Sequence, residues 1–318
     1  MQTTFSVGDI TIHRIVEQET PFLPMLEFLP GLTPEQLNEN RGWLEPHALD
    51  PGSGRIVLCF QSYIIRTPHH TVLVDSCIGN DKPRPHRPNW HMKTDHTYMR
   101  GLAALGLSVN DIDFVLCTHL HPDHVGWNTR LEDGRWVPTF PKARYLFAES
   151  ELAHWSTQNA KEPVPATFPK ARYLFAESEL AHWSTQNAKE PVPAIEDSVL
   201  PIVAADRADL VKPDHAVGDH VRLMATPGHT PGHFSVLVGR AADDAVLTGD
   251  LIHSPLQARY PELSMRVDFD QALAASTRRG FLERFCNTRT LCCTAHFPSP
   301  SAGRISRWGD GFRCEPLS

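Results

Sequence analysis

The chain has 318 residues, 41% of them hydrophobic and 21% charged, enough to bury a sizeable core. Its formal net charge of −7, without a basic run, argues against a nucleic-acid partner, because such affinity comes mostly from Lys and Arg neutralising phosphates. No apolar run reaches the 18 or more residues of a membrane helix, and the start "MQTTFSVGDITIHRIVEQET" lacks a basic stretch followed by an apolar block, so a soluble, cytoplasmic protein is expected.

In chain order, "FSVGDITIHRIV" and "RIVLCFQSYIIRT" read as hairpin-like strands, with a helix over "TPEQLNEN" between them capped by Thr33. "HTVLVDSC" is a further strand. "DKPRPHRPNWH" (81–91) is Pro-rich and polar and reads as a surface excursion, and "TDHTYMRGLAALG" reads as a helix ending at Gly106. The strands "DFVLCTH", "HVRLMATPGH", "HFSVLVG", "AVLTGD" and "TLCCTAH" follow, with the helix "DFDQALAASTRRGFLERF" before the last. Strands mixed with helices, with no clear linker, indicate a layered α/β protein in one domain, 1–318.

Seven cysteines, an odd number scattered through apolar runs, read as buried reduced thiols, with Cys292 and Cys293 pointing to opposite faces of one strand. Four strands run into His or Asp: at His119, His229, Asp250 and His296. Such strand ends are how α/β folds gather an active site on one edge. "THLHPDHVGW" adds His121, Asp123 and His124, and this mixture of imidazole and carboxylate suits zinc or a related divalent ion.

"HLHPDH" followed by "TPGHTPGH", "TGDLIH" and "TAHF" resembles the metallo-β-lactamase-fold superfamily, and within it the branch of methyl parathion hydrolase and related esterases and lactonases. The likeness runs from the first strands to about Phe312, interrupted only by a duplicated segment. It implies a four-layered αββα sandwich and two divalent ions, Zn2+ foremost, with His119, His121 and His229 on one, Asp123, His124 and His296 on the other, and Asp250 bridging. Asp75 would support a ligand from behind. The resemblance further implies a hydrolase in which metal-activated water attacks a small ester, lactone or phosphotriester, one with an aromatic leaving group fitting the branch. Asp250, Asp123 and His253 are the catalytic candidates, with His253 expected beside the metals as a supporting or substrate contact. The alternatives are β-lactam or thioester hydrolysis, dehalogenation, iron-dependent sulfur oxidation, or a non-catalytic binder with a structural metal.

Other residues read more blandly. His233 is expected either near the metals or satisfying backbone groups in its turn, His69 and His70 as exposed, and His86, His91 and His96 as solvated. Trp90, Trp127, Trp136 and Phe297 are candidates for an aromatic pocket beside the metals, against core packing as the commoner use.

The duplicated segment is "TFPKARYLFAESELAHWSTQNAKEPVPA", present at 139–166 and again, letter for letter, at 167–194. Each copy reads as a strand, a short helix and a Pro-containing exit. Two copies are too few for a solenoid. The metal motifs bracket the segment, so the site is expected to use none of it, and the surplus copy is expected to pack near the site's rim or across a homodimer contact.

Overall fold

A computed structural model describes residues 4–159, 192–212, 214–240 and 244–316. The first seven-stranded sheet is built from β1 (Thr4–Val7), β2 (Ile10–Pro24), β3 (Arg55–Arg66), β4 (Thr71–Val74), β5 (Phe114–Leu116), β8 (Arg144–Ala148) and β9 (Ala208–Val211), in that spatial order. β1 to β4 pair antiparallel, while β4, β5, β8 and β9 run parallel. A separate hairpin joins β6 (Thr129–Glu132) to β7 (Arg135–Pro138).

The second sheet runs in sequence order through β10 (Ala216–Val217), β11 (Val221–Ala225), β12 (Phe234–Val238), β13 (Ala245–Leu247), β14 (Leu291–Cys293), β15 (Ala302–Trp308) and β16 (Gly311–Pro316). Its single parallel pair is β13 with β14. Among the described residues the α-helices are α1 (Met25–Phe28), α2 (Pro34–Leu44), α3 (Thr97–Ala104), α4 (Pro122–Val125), α5 (Glu149–Asn159), α6 (Pro193–Ser198), α7 (Leu200–Ala204), α8 (Pro255–Arg259) and α9 (Gln271–Phe285).

The layering follows from strand periodicity. Val72 and Val74 of β4 face the second sheet, in one core with Leu223, Val236 and Leu247, while Leu73 between them faces Tyr98 and Leu102 of α3. The second sheet does the same: Cys293 joins the inter-sheet core, and Cys292 lies against Phe281 and Leu282 of α9. Strands covered on both faces are mostly apolar, and the result is an αββα sandwich. Local signals set the helix starts. Thr33 and Gln36 form a reciprocal capping box on α2, and the Asp270 carboxylate accepts from the Leu273 N–H at the start of α9.

The Pro-rich loop departs from the expected surface excursion. Lys82 and Arg84 are buried, and the Arg84 guanidinium grips Asp197 of α6 through two bonds of 2.6 and 2.9 Å. Two of the loop's three cations were drawn inward by a buried carboxylate from outside the loop.

Of the duplicated segment, the first copy supplies β8 and α5, and the last residues of the second, Val192 to Ala194, lead into α6. The placement expected for the surplus unit concerns residues 160–191, outside the described residues.

Candidate metal centre

β4 and β5 run parallel in one sheet, as do β13 and β14 in the other, so their C-terminal ends open on one edge between the layers. Asp75 follows β4, His119 follows β5, and Asp250 and His296 follow β13 and β14. His229 follows β11, and short helix α4 carries Asp123 and His124. Two glycines permit the approach. A Cβ on Gly249, whose φ is +53°, would lie 2.6 Å from His233 Nε2, and one on Gly126 would lie 1.9 Å from the Ile78 carbonyl oxygen.

Ligand-type atoms converge in two groups. His121 Nδ1 lies 2.9 Å from His119 Nε2 and 3.0 Å from His229 Nε2. Asp250 Oδ2 completes that group, 3.5 Å from His119 Nε2 and 3.3 Å from His229 Nε2. On the other side Asp250 Oδ1 is 3.1 Å from His124 Nε2 and 2.9 Å from His296 Nε2, and Asp123 Oδ2 is 3.8 and 3.7 Å from the same nitrogens. The two groups thus share one carboxylate, an oxygen to each, and Asp250 and His296 also gather with His253 in a third set.

The outer nitrogens decide what the inner ones can do. His124 Nδ1 bonds Asp75 at 2.9 Å, His229 Nδ1 bonds Asp268 at 2.8 Å, and His296 Nδ1 bonds the Cys59 carbonyl at 2.9 Å. Each partner is an acceptor, so each Nδ1 carries the proton. His119 Nδ1 faces the Thr118 hydroxyl at 3.1 Å; that hydroxyl gives its own proton to Asp75, so it too must accept. With Nδ1 engaged outward, these four imidazoles turn their Nε2 atoms inward, where each can give its lone pair to a metal ion in place of a proton.

Lone pairs about 3 Å apart repel unless a cation or a proton lies among them. Asp250 Oδ1 is in addition buried without a hydrogen-bond partner. A divalent metal ion in each group resolves both conditions, and the nitrogen and carboxylate donors suit zinc-type ions.

Charge within the cage follows the same geometry. Burial pushes His119 and His121 well below the usual imidazole range. Burial would lower His124 too, but Asp250, Asp75 and Asp123 hold it well above. His229 is likewise opposed by burial, and bonds to Asp250 and Asp268 bring it up to about 9. Asp250, which burial would raise, is held well below the usual carboxylate range by His124, His296, His253 and His119.

His253 Nε2 lies 3.0 Å from Asp250 Oδ2, its ring stacks on His296 at 5.2 Å, and burial lowers it to about 4, so the ring is neutral at pH 7. Burial also takes His233 down to about 3; its Nδ1 lies 3.0 Å from the Thr226 carbonyl, and its Nε2 accepts the Asp250 N–H at 2.8 Å. His233 is thus used on backbone, in the position that fixes Asp250. His86, His91 and His96 are exposed, as expected, and His69 is exposed while His70 is half-buried on Phe114.

The aromatic candidates separate. Trp90 packs on Phe60, whose ring meets His296 at 5.4 Å, so it stands one ring behind the site. Trp127 stacks on Tyr98, Trp136 covers Lys82, and Phe297 joins the core under α9, so these three are structural.

Sequence reasoning missed four groups: Asp268 behind His229, Arg278 beside Asp268 at 3.8 Å, and two residues of the duplicated segment. The expectation that the site uses none of that segment is corrected. Trp155 of the first copy sets its ring edge-on to His121 at 5.4 Å, and the buried Glu151 carboxylate accepts N–H bonds from Leu120, between His119 and His121, and from Gly232, three residues after His229. Bracketing in sequence did not mean separation in space, because β8 lies next to β5 in the sheet.

A family model described as the metallo-beta-lactamase superfamily matches residues 60–296. Among solved structures, the chain is similar to the hydrolase AbOPH of the beta-lactamase superfamily, at 22% identity and a TM-score of 0.75, covering 99% of this chain and 97% of that one. AidC, a dizinc quorum-quenching lactonase, aligns at 18% identity and a TM-score of 0.74, with 99% and 97% covered. A probable metal-dependent hydrolase from Staphylococcus aureus aligns at 18% and 0.65, with 99% and 100% covered. No curated protein sequence matches the chain.

Proposed function

This chain belongs to the metallo-beta-lactamase superfamily as a metal-dependent hydrolase, and on that premise we propose a dinuclear enzyme acting on a small ester, lactone or phosphotriester. The observation that carries this reading is Asp250, whose two oxygens face two separate groups of inward nitrogens. In it, His119, His121 and His229 would hold one ion and Asp123, His124 and His296 the other, with the Asp250 carboxylate available to both. Zn2+ fits this donor set best.

When bound, such a pair supplies Lewis acidity and a water acidified to about neutral pH, so no serine or cysteine nucleophile is needed. The chain's residues do the rest. Asp75, Asp268 and the Cys59 carbonyl orient the imidazoles, keeping their protons on Nδ1. Neutral His253 donates from Nε2 to Asp250 and steadies the bridging carboxylate.

Aromatic rings stand on both sides, Phe60 against His296 and Trp155 against His121, which supports a substrate with an apolar or aromatic part. The neighbours AbOPH, described as a hydrolase, and AidC, described as a lactonase, support the branch of methyl parathion hydrolase and related lactonases. The reading also treats 1–318 as one catalytic domain, supported by the core shared between the sheets, and places it in the cytoplasm, supported by its free cysteines.

Elemental analysis combined with a hydrolysis screen over aryl esters, lactones, phosphotriesters, β-lactams and halogenated aromatics tests the proposal. Two zinc-type ions per chain with turnover of one of the first three classes are expected. A single iron, or turnover confined to the last two classes, overturns it.

A further inference from the structure

We propose that Glu151, in the first copy of the duplicated segment, is a positioning residue that clamps the two metal-binding loops to each other; this rests on the metal-centre reading above. Its side chain is fully buried at the start of α5. Oε2 accepts the Leu120 N–H at 3.2 Å and the Trp155 Nε1–H at 2.9 Å, and Oε1 accepts the Gly232 N–H at 2.9 Å.

These donors belong to two different loops. Leu120 sits between His119 and His121, and Gly232 lies three residues after His229 and just before His233, which in turn holds the Asp250 N–H. One carboxylate thus ties the loop after β5, in the first sheet, to the loop after β11, in the second. His119, His121 and His229 come from those two loops, so the clamp fixes the spacing of three nitrogens that must converge on one ion.

Close packing supports the assignment. A Cβ on Gly232 would lie 2.3 Å from Ser150 Oγ and 2.9 Å from the Glu151 backbone nitrogen, so glycine is what allows α5 to seat on this loop. Trp155, one turn along α5, brings its ring to His121 and its N–H to the clamp.

Only a carboxylate can do this job. All three partners are donors, and a carboxylate accepts through both oxygens; a glutamine of equal size has one accepting oxygen and an NH2 that must face a donor of one loop or the other. The duplication therefore repeated a working part of the site. The second copy carries the same Glu and Trp at Glu179 and Trp183, outside the described residues.

The test uses the full chain with Zn(II) and Co(II) alone as probes. Chelator competition should show Glu151→Gln binding zinc about 10–100-fold more weakly than wild type, the range that outer partners of metal ligands command. Its Co(II) d–d spectrum should shift, and Glu151→Asp, which keeps both accepting oxygens, should recover part of both signals. Trp155→Phe, which removes one of the three donors and keeps a ring, should shift the spectrum less than Glu151→Gln does, and an equal shift from it would put the effect on Trp155 and overturn the clamp. Glu179→Gln should change neither readout.

Unchanged zinc affinity and spectrum in a folded Glu151→Gln overturn the clamp alone. If that variant does not fold, Gly232→Ala approaches the same contact from the other loop, and wild-type metal binding there overturns it equally. An effect of Glu179→Gln in place of Glu151→Gln overturns the assignment to the first copy. A wild-type chain that takes up neither metal overturns the metal-centre reading itself.

Discussion

Two carboxylates lie buried on either side of the His119–His121 loop, and they have opposite surroundings. Glu151 is met by neutral N–H donors from two loops and a tryptophan. Asp250 is met by imidazole nitrogens of His119, His124, His229, His253 and His296, within 2.9 to 3.5 Å, and its Oδ1 has no hydrogen-bond partner. Burial raises both groups. The donors around Glu151 only partly offset it, leaving that carboxyl above its ordinary value, whereas the imidazoles hold Asp250 well below its own. A carboxylate saturated by N–H groups is a structural tie, and one ringed by ligand-type nitrogens is a place for cations.

The largest expected effect breaks the comparison at Asp250. Asp250→Ala removes the one group common to both nitrogen sets, so metal content should fall at both positions. Turnover should fall by more than the ~10–100-fold that an outer partner costs. Elemental analysis and kcat on the same preparation check it; full metal content with full turnover would remove the shared-carboxylate reading.

A second test sharpens it, through a carboxylate that reaches the centre by way of an imidazole. His229 stands at about 9 in the metal-free protein because Asp250 and Asp268 outweigh its burial. A group raised on folding stabilises fully below its unfolded value near 6.5, and that stability is lost as pH rises through about 9. Metal-free wild type should therefore lose about 3 kcal/mol from this group over that window, by denaturant unfolding at several pH values. Asp268→Asn should flatten the loss and weaken zinc binding about 10-fold. An unchanged slope would mean Asp268 does not hold that proton.

How much of this was legible in sequence depends on where each group sits along a strand. His119, Asp250 and His296 follow apolar runs within three residues of the strand end, so periodicity locates them and residue type names their chemistry. Asp75 was legible for the same reason. Asp268 and Arg278 lie in a loop and on α9 at no characteristic spacing, and nothing local separates them from surface charges. Glu151 was hidden differently. Its strand and helix were readable, but its role depends on β8 pairing with β5 and on the contact of α5 with Gly232, which only the packed sheets create. The helix in "DFDQALAASTRRGFLERF" was legible from apolar positions at helical spacing, though not its cap at Asp270, and the Pro-rich loop was misread because its anchor, Asp197, is more than a hundred residues away.

That anchor permits the smallest test, on a buried cation instead of a buried anion. Lys82 Nζ donates to Thr129 Oγ1 at 2.6 Å and to the Asp197 carbonyl at 3.1 Å, stands 3.7 Å from Asp197 Oδ1, and lies 3.6 Å over the Trp136 ring. Burial lowers it to about 7, because Asp197 is already engaged by Arg84, whose own charge opposes a second cation. A lysine depressed on folding binds fewer protons than the unfolded chain between about 7 and its ordinary value near 10.4, so stability from this site rises with pH across that window. The sign is opposite to that of His229. From pH 7 to 9 the gain should be about 2 kcal/mol. Lys82→Met should abolish it, read as the difference between wild type and variant so that every other titrating group cancels. If the two pH profiles run parallel, Asp197 and the Trp136 ring keep Lys82 charged, and it joins Asp250 among the groups whose neighbours overcome burial.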